Sequence, residues 1–83
     1  MKFYEKLIIL RKKALLSQEE LAEKLDVTRQ TISKWELGQS KPDIDKLQMM
    51  SKLFEVDVNT LTNEDISLED KVETKEDKNN KKE

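Results

Sequence analysis

Hydrogen-bonding side chains fill a predicted helix in the middle of the chain, where only Ile32 and Trp35 are apolar. Arginine pairs well with guanine O6 and N7, glutamine with adenine N6 and N7, and serine and threonine adapt to several base edges. A helix with such a face suits the major groove of DNA, although the face of any solvated helix is also polar. The candidate base-reading side chains are Arg29, Gln30, Thr31, Ser33 and Lys34.

Two short helices joined by a turn position this polar run. Ser17 and Glu20 have the spacing of a capping box, so a helix is predicted to begin directly after Ser17. Asp26 opens a two-residue turn, and Thr28 is the candidate N-cap of the second helix. Together the two helices form a motif over residues 18–37.

Three further helices are predicted around this motif: residues 3–14, a helix from its cap Asp43 to residue 54, and a turn or two after Asp57. Their apolar residues recur at helical spacing, so one side of each helix can be buried. The residues expected to form the shared core are Leu7, Leu10, Leu21, Ala22, Leu25, Ile32, Trp35, Leu47 and Phe54. Ile44 and Met50 are predicted to lie on the same face as the last two.

Apolar residues become sparse beyond residue 63, and residues 75–83 contain none. Such a segment cannot bury enough apolar surface to offset the entropy that it would lose on ordering. We therefore predict a folded domain over residues 1–62 and a charged, largely disordered tail over residues 63–83. Within that tail, residues 64–74 are expected to form at most a marginal helix.

The composition favours a single small all-α domain. The chain has 83 residues, of which 35% are hydrophobic and 41% charged. One glycine and one proline are too few for the turns of an antiparallel sheet. The net charge is −2, but residues 63–83 hold eight of the 18 acidic and five of the 16 basic residues, so the predicted domain is nearly neutral.

Several classes of site are excluded by residue types that the chain lacks. Without cysteine and histidine it cannot form disulfides, zinc fingers or nucleophiles based on a thiol or an imidazole. No glycine-rich phosphate loop or metal-ligand cluster is evident, so we expect neither an enzyme nor a metal or cofactor. The longest apolar run, residues 7–10, is far too short to span a membrane, and no signal peptide is evident, so a cytoplasmic protein is expected.

Three blocks of the sequence together resemble a known family. Residues 11–25 read RKKALLSQEELAEKL, residues 27–36 read VTRQTISKWE, and residues 38–43 read GQSKPD. With these blocks the chain resembles the lambda-repressor-like Cro/XRE helix-turn-helix domain over residues 7–61. The resemblance implies a compact bundle of four to five helices that binds double-stranded DNA at specific sequences. It implies a small transcriptional regulator, with a repressor as the leading interpretation, acting as a homodimer on an inverted repeat.

Roles for individual residues follow from the resemblance. The recognition helix, residues 28–36, would lie in the major groove and present the candidate base-reading side chains to the base edges. The phosphate contacts that the resemblance implies are Gln18, Thr28, Ser40 and Lys41. Two alternatives stay open: that Gln18 is only the first residue of its helix, and that Lys34 is only a solvated charge.

Other positions match or depart from the family pattern. Arg11 and Glu36 stand where family members hold a largely buried ion pair that locks the recognition helix to the first helix. Leu15, Asp26 and Glu55 stand where glycine commonly ends a helix in a left-handed conformation.

The resemblance also leaves other functions open. The same domain occurs in antitoxins and as a module that binds a partner protein, and the tail of this chain could fold on such a partner. Some family members continue into a membrane segment or a sensor domain. Leu37 stands where asparagine often contacts phosphate, so that contact is not expected from this side chain.

Overall fold

Five α-helices follow one another in residues 1–68, the part of the chain that the computed structural model describes. The helices are α1 (Phe3–Lys13), α2 (Gln18–Leu25), α3 (Arg29–Glu36), α4 (Ile44–Phe54) and α5 (Val58–Thr62). The described residues contain no strand, and none of their helices is long and apolar enough to cross a membrane. The predicted all-α fold is confirmed.

The predicted tail lies mostly outside the described residues. The disorder predicted for residues 75–83 falls there entirely. Residues 64–68 form a turn followed by irregular chain, so the marginal helix predicted from residue 64 does not begin at that point.

Local hydrogen bonds explain where α2, α3 and α4 begin. Ser17 Oγ accepts a bond from the backbone N–H of Glu20 at 3.0 Å, and the Glu20 carboxylate accepts one from the N–H of Ser17 at 2.8 Å. These two bonds are the two halves of the predicted capping box. Thr28 at α3 and Asp43 at α4 each make only the first kind of bond, in which a side-chain oxygen accepts from a backbone N–H in the first turn. Asp57 occupies the N-cap position of α5, but its side chain makes no such bond.

The core lies where α1, α2 and α3 meet α4 and α5. Of the expected core residues, Leu47 and Phe54 are only partly buried and pack against the core from its edge. Met50 and Leu61 are completely buried and take the central positions on α4 and α5. Ile44 was expected to face inward but is 57% exposed. It occupies the first position of α4, so it projects beyond the neighbouring helices. The other expected core residues are all buried: Leu7, Leu10, Leu21, Ala22, Leu25, Ile32 and Trp35.

A completely buried lysine joins α1 to the end of α5. Lys6 Nζ donates hydrogen bonds to the backbone oxygens of Thr60 at 2.5 Å and Asn63 at 2.6 Å. The Thr60 oxygen belongs to the last turn of α5, where carbonyl groups have no partner within the helix. The Asn63 oxygen lies at the C-cap and also accepts a bond from the Ile66 N–H at 3.0 Å. Burial lowers the pKa of Lys6, while the nearby Glu64 carboxylate acts in the opposite direction. The periodicity of apolar residues did not predict the burial of Lys6, because lysine is normally exposed.

We predict that Lys6→Met will lower the free energy of unfolding by about 1–3 kcal/mol, because it leaves the Thr60 carbonyl without a donor and removes one of the two donors to the Asn63 carbonyl. Urea denaturation followed by far-UV circular dichroism measures this loss. The matched control is Lys12→Met, which alters an exposed lysine of the same helix and should leave stability almost unchanged. Equal effects from the two substitutions would contradict a specific role for Lys6.

Four helix ends close with the same backbone motif. A residue in the left-handed region follows the helix, and the next backbone N–H bonds back to a carbonyl five residues earlier. Such bonds join Leu16 to Arg11, Val27 to Ala22, Gln39 to Lys34 and Val56 to Ser51, at 2.9–3.1 Å. The left-handed residues have φ between +58° and +75° and are Leu15, Asp26, Gly38 and Glu55.

We predict that Glu55→Gly will stabilise the domain by about 0.5–1 kcal/mol and raise the melting temperature by several degrees. Glu55 is exposed and has a φ of +58°, so glycine relieves strain there, although glycine also gains more entropy on unfolding. Thermal unfolding by circular dichroism is the measurement. Glu23→Gly, at an exposed position inside α2, should lower the melting temperature instead. A lower melting temperature for Glu55→Gly would rule out backbone strain at Glu55.

Candidate nucleic-acid interface

The turn between α2 and α3 sets the relative orientation of these two helices. Asp26 adopts a φ of +59°, and the Val27 N–H bonds to the Ala22 oxygen at 2.9 Å, which reverses the chain within two residues. Thr28 then caps α3 through its hydroxyl oxygen, which accepts a bond from the N–H of Thr31 at 3.1 Å. As a result, Ile32 faces the core and the polar side of α3 faces solvent.

The solvent side of α3 carries a shallow notch of about 360 Å³. Its lining brings together four of the five candidate base-reading residues and adds one that the sequence analysis did not consider. Thr31 does not line the notch. It is half-buried, and its hydroxyl lies 2.9 Å from the Thr28 hydroxyl, so it belongs to the cap of α3. The residues that line the notch are Arg29, Gln30, Ser33, Lys34 and Gln39.

Arg11 and Glu36 form a two-bond ion pair beneath this surface. Arg11 Nε donates to Glu36 Oε2 at 2.6 Å, and Arg11 Nη2 donates to Glu36 Oε1 at 3.1 Å. The two side chains are only 14% and 6% exposed, respectively. Arg11 Nη1 also donates to the Leu16 carbonyl at 3.0 Å. The pair therefore ties α1 and the loop after it to the last residue of α3.

Gln18 extends this network to the surface. Its Nε2 donates to Glu36 Oε1 at 3.0 Å, and its Oε1 accepts a bond from Arg29 Nη1 at 3.3 Å. An ionised carboxylate can only accept hydrogen bonds, so Glu36 requires the Gln18 nitrogen and turns the Gln18 oxygen toward Arg29. Gln18 is therefore more than the first residue of α2, because its side chain connects the buried ion pair to an exposed arginine.

The candidate phosphate-binding residues flank α3 in the sequence. Thr28 precedes the helix, and Ser40 and Lys41 follow it, all three with exposed side chains. Ser40 and Lys41 border a separate cleft of about 290 Å³ beside the start of α1, and they do not line the notch. Leu37 is 65% exposed at the end of α3, and its apolar side chain cannot bond a phosphate.

We predict that Glu36→Gln will lower the free energy of unfolding by about 3–5 kcal/mol, because it leaves the mostly buried Arg11 guanidinium without its counter-charge. Urea denaturation gives the value. The double substitution Arg11→Met with Glu36→Leu removes both charges and should recover most of the loss. If the double variant is as unstable as Glu36→Gln, packing around these positions and not charge is responsible.

Comparisons with known proteins agree with this geometry. The helix-turn-helix family model matches residues 7–61. Over 61 residues the chain is 48% identical to the HTH-type transcriptional activator BcrR of Enterococcus faecalis, a match that covers 74% of this chain. The chain spans only 30% of the length of that relative. The predicted resemblance to a helix-turn-helix family is confirmed.

Two solved structures share the fold. The P22 c2 repressor, in a complex with a synthetic operator, has a TM-score of 0.72 and 25% identity, with 76% of this chain and 96% of that chain covered. A transcriptional regulator from Listeria innocua also has a TM-score of 0.72, with 28% identity and 84% of this chain and 65% of that chain covered. The described domain is thus homologous to domains of transcriptional regulators.

Proposed function

We propose that this chain, which belongs to the helix-turn-helix family, binds double-stranded DNA at specific sequences as a small transcriptional regulator. The observation that carries the proposal is the notch on α3, where hydrogen-bonding side chains of several types converge on one exposed surface. Arginine and lysine suit guanine, glutamine suits adenine, and serine suits either. An α-helix fits the width of the major groove, so α3 can present all of these groups to base edges at once.

Arg29 is the strongest candidate for a base contact. It is exposed at the start of α3, and recognition helices of this motif contact bases mainly with their N-terminal residues. The bond that its guanidinium donates to Gln18 Oε1 limits the positions that this group can take before DNA arrives. Gln18, Thr28, Ser40 and Lys41 are proposed to contact phosphates on either side of the groove, which would fix the register of α3.

We further propose that two copies bind an inverted repeat. From the last residue of α4 onward, the chain carries five apolar side chains that are only partly buried, and a second copy can cover their exposed parts. In a two-fold dimer the half-site centres lie about 34 Å apart, one turn of DNA. The apolar residues proposed for this contact are Phe54, Val56, Val58, Ile66 and Leu68.

Repression is the proposed effect when the operator overlaps a promoter, because the bound protein then excludes the polymerase. Activation is the second candidate, favoured by the 48% identity to an activator. A reporter gene placed behind the selected operator decides between them, since expression falls with a repressor and rises with an activator. We propose neither a catalytic activity nor a cofactor for the chain. We propose that the protein acts in the cytoplasm, where its DNA ligand would lie.

Selection of random DNA duplexes by the purified full chain, followed by sequencing, tests the proposal. Enrichment of an inverted repeat with centres one helical turn apart is the expected result. Protein that is folded by circular dichroism and enriches no sequence would overturn sequence-specific binding. In that case, purification of the chain from cells with a stoichiometric protein would favour the alternative function, an antitoxin or partner-binding module.

We predict that Arg29→Ala will weaken binding to the selected operator by about 1–3 kcal/mol per half-site and will relax the preference at one base pair. Fluorescence anisotropy with operator duplexes that vary at each position measures both effects. Lys24→Ala, an exposed cation on α2 outside the notch, is the control and should leave the base preference unchanged. Equal loss on every duplex would show that Arg29 contacts phosphate only.

A further inference from the structure

Gln39 lies in the notch beside the candidate base-reading residues although it does not belong to α3. It is the second residue after Leu37, in a loop whose next two residues are candidates for phosphate contact. Gln39 is therefore the fifth residue that lines the notch, and helical periodicity cannot predict it. Its neighbours in the notch are Arg29, Gln30, Ser33 and Lys34.

The backbone holds Gln39 against the end of α3. Gly38 turns the chain with a φ of +75°, and the Gln39 N–H then bonds to the Lys34 carbonyl at 2.9 Å. A Cβ atom on Gly38 would lie 3.1 Å from the Tyr4 ring, so the packing of α1 also favours glycine here. The position of residue 39 is thus defined by the turn, and its side chain is left exposed.

The loop sends its side chains in two directions. Gln39 lines the notch on α3, whereas Ser40 and Lys41 line the separate cleft beside α1. Within residues 1–68 the Gln39 amide takes part in none of the side-chain hydrogen bonds, which leaves its donor and its acceptor available to a ligand. Those two groups match the N6 donor and N7 acceptor that adenine exposes in the major groove.

We infer that Gln39 is a specificity-determining residue that reads one base pair in each half-site, beyond the C-terminal end of α3. The inference rests on the proposed function and adds to it, because it extends the base-reading surface from the helix into the following loop. Adenine is the preferred base at that position.

The test is duplex selection with the wild-type chain, Gln39→Ala and the control Gln48→Ala, an exposed glutamine on α4 outside the notch. Gln39→Ala should lose the preference for adenine at one position of each half-site and keep every other preference. Its affinity for the wild-type operator should fall about tenfold per half-site, the order expected for one bidentate base contact. For an operator that is changed at that base pair, the variant and the wild-type chain should have the same affinity.

A second variant should acquire a new base preference instead of losing one. Gln39→Arg should move the preference at the same position from adenine to guanine, because arginine bonds guanine O6 and N7. Both variants should melt at the wild-type temperature, since the turn uses only the backbone of residue 39.

Each outcome separates this inference from the proposed function. If the wild-type chain selects an operator and Gln39→Ala selects the same sequence with the same strength, Gln39 is only solvated and the inference is wrong. A uniform loss of affinity on all duplexes would mean a phosphate contact and would also overturn it. If the folded wild-type chain selects no sequence, the proposed function and this inference fail together.

Discussion

The orientation of α3 depends on the buried ion pair between Arg11 and Glu36. Apolar contacts from Ile32 and Trp35 bring one side of α3 to the core, but such contacts are non-directional and allow small rotations and shifts. A guanidinium that bonds a carboxylate through two nitrogens has one favourable geometry. With 14% and 6% of the two side chains exposed, neither charge can find adequate solvation if the other moves away. Within the range that the apolar contacts allow, the pair therefore fixes the rotation of α3.

The same carboxylate connects the interior to the proposed DNA-binding surface. Glu36 orients the amide of Gln18, and Gln18 in turn holds the guanidinium of Arg29. A side chain that is already partly ordered loses less entropy on binding, so a network of this kind favours both affinity and discrimination. The position of the exposed arginine thus depends on a salt bridge that it reaches through a single intervening side chain, Gln18. The stability of the domain and the geometry of its surface are therefore coupled.

Because the helices of this domain are short, their ends contribute strongly to its stability. The eight-residue helices α2 and α3 are too short to be stable alone, so they rely on caps at one end and left-handed closures at the other. Leu15 and Glu55 adopt positive φ although they are not glycine. Their side chains are exposed and extend into open space, so only backbone strain opposes them. At Gly38 the Tyr4 ring fills that space, so both sterics and φ favour glycine.

The sequence by itself determined the features that rest on nearby residues: the helices, their caps and the apolar stripes that form the core. A capping bond such as that from the Glu20 N–H to Ser17 Oγ spans three residues, so spacing alone reveals it. Only the tertiary structure decided the burial of Lys6, whose hydrogen-bond partners lie 54 and 57 residues away. It also placed Gln39 in the notch and Thr31 outside it. Periodicity describes one helix at a time, whereas these positions result from a left-handed turn and from packing between helices that are distant in the sequence.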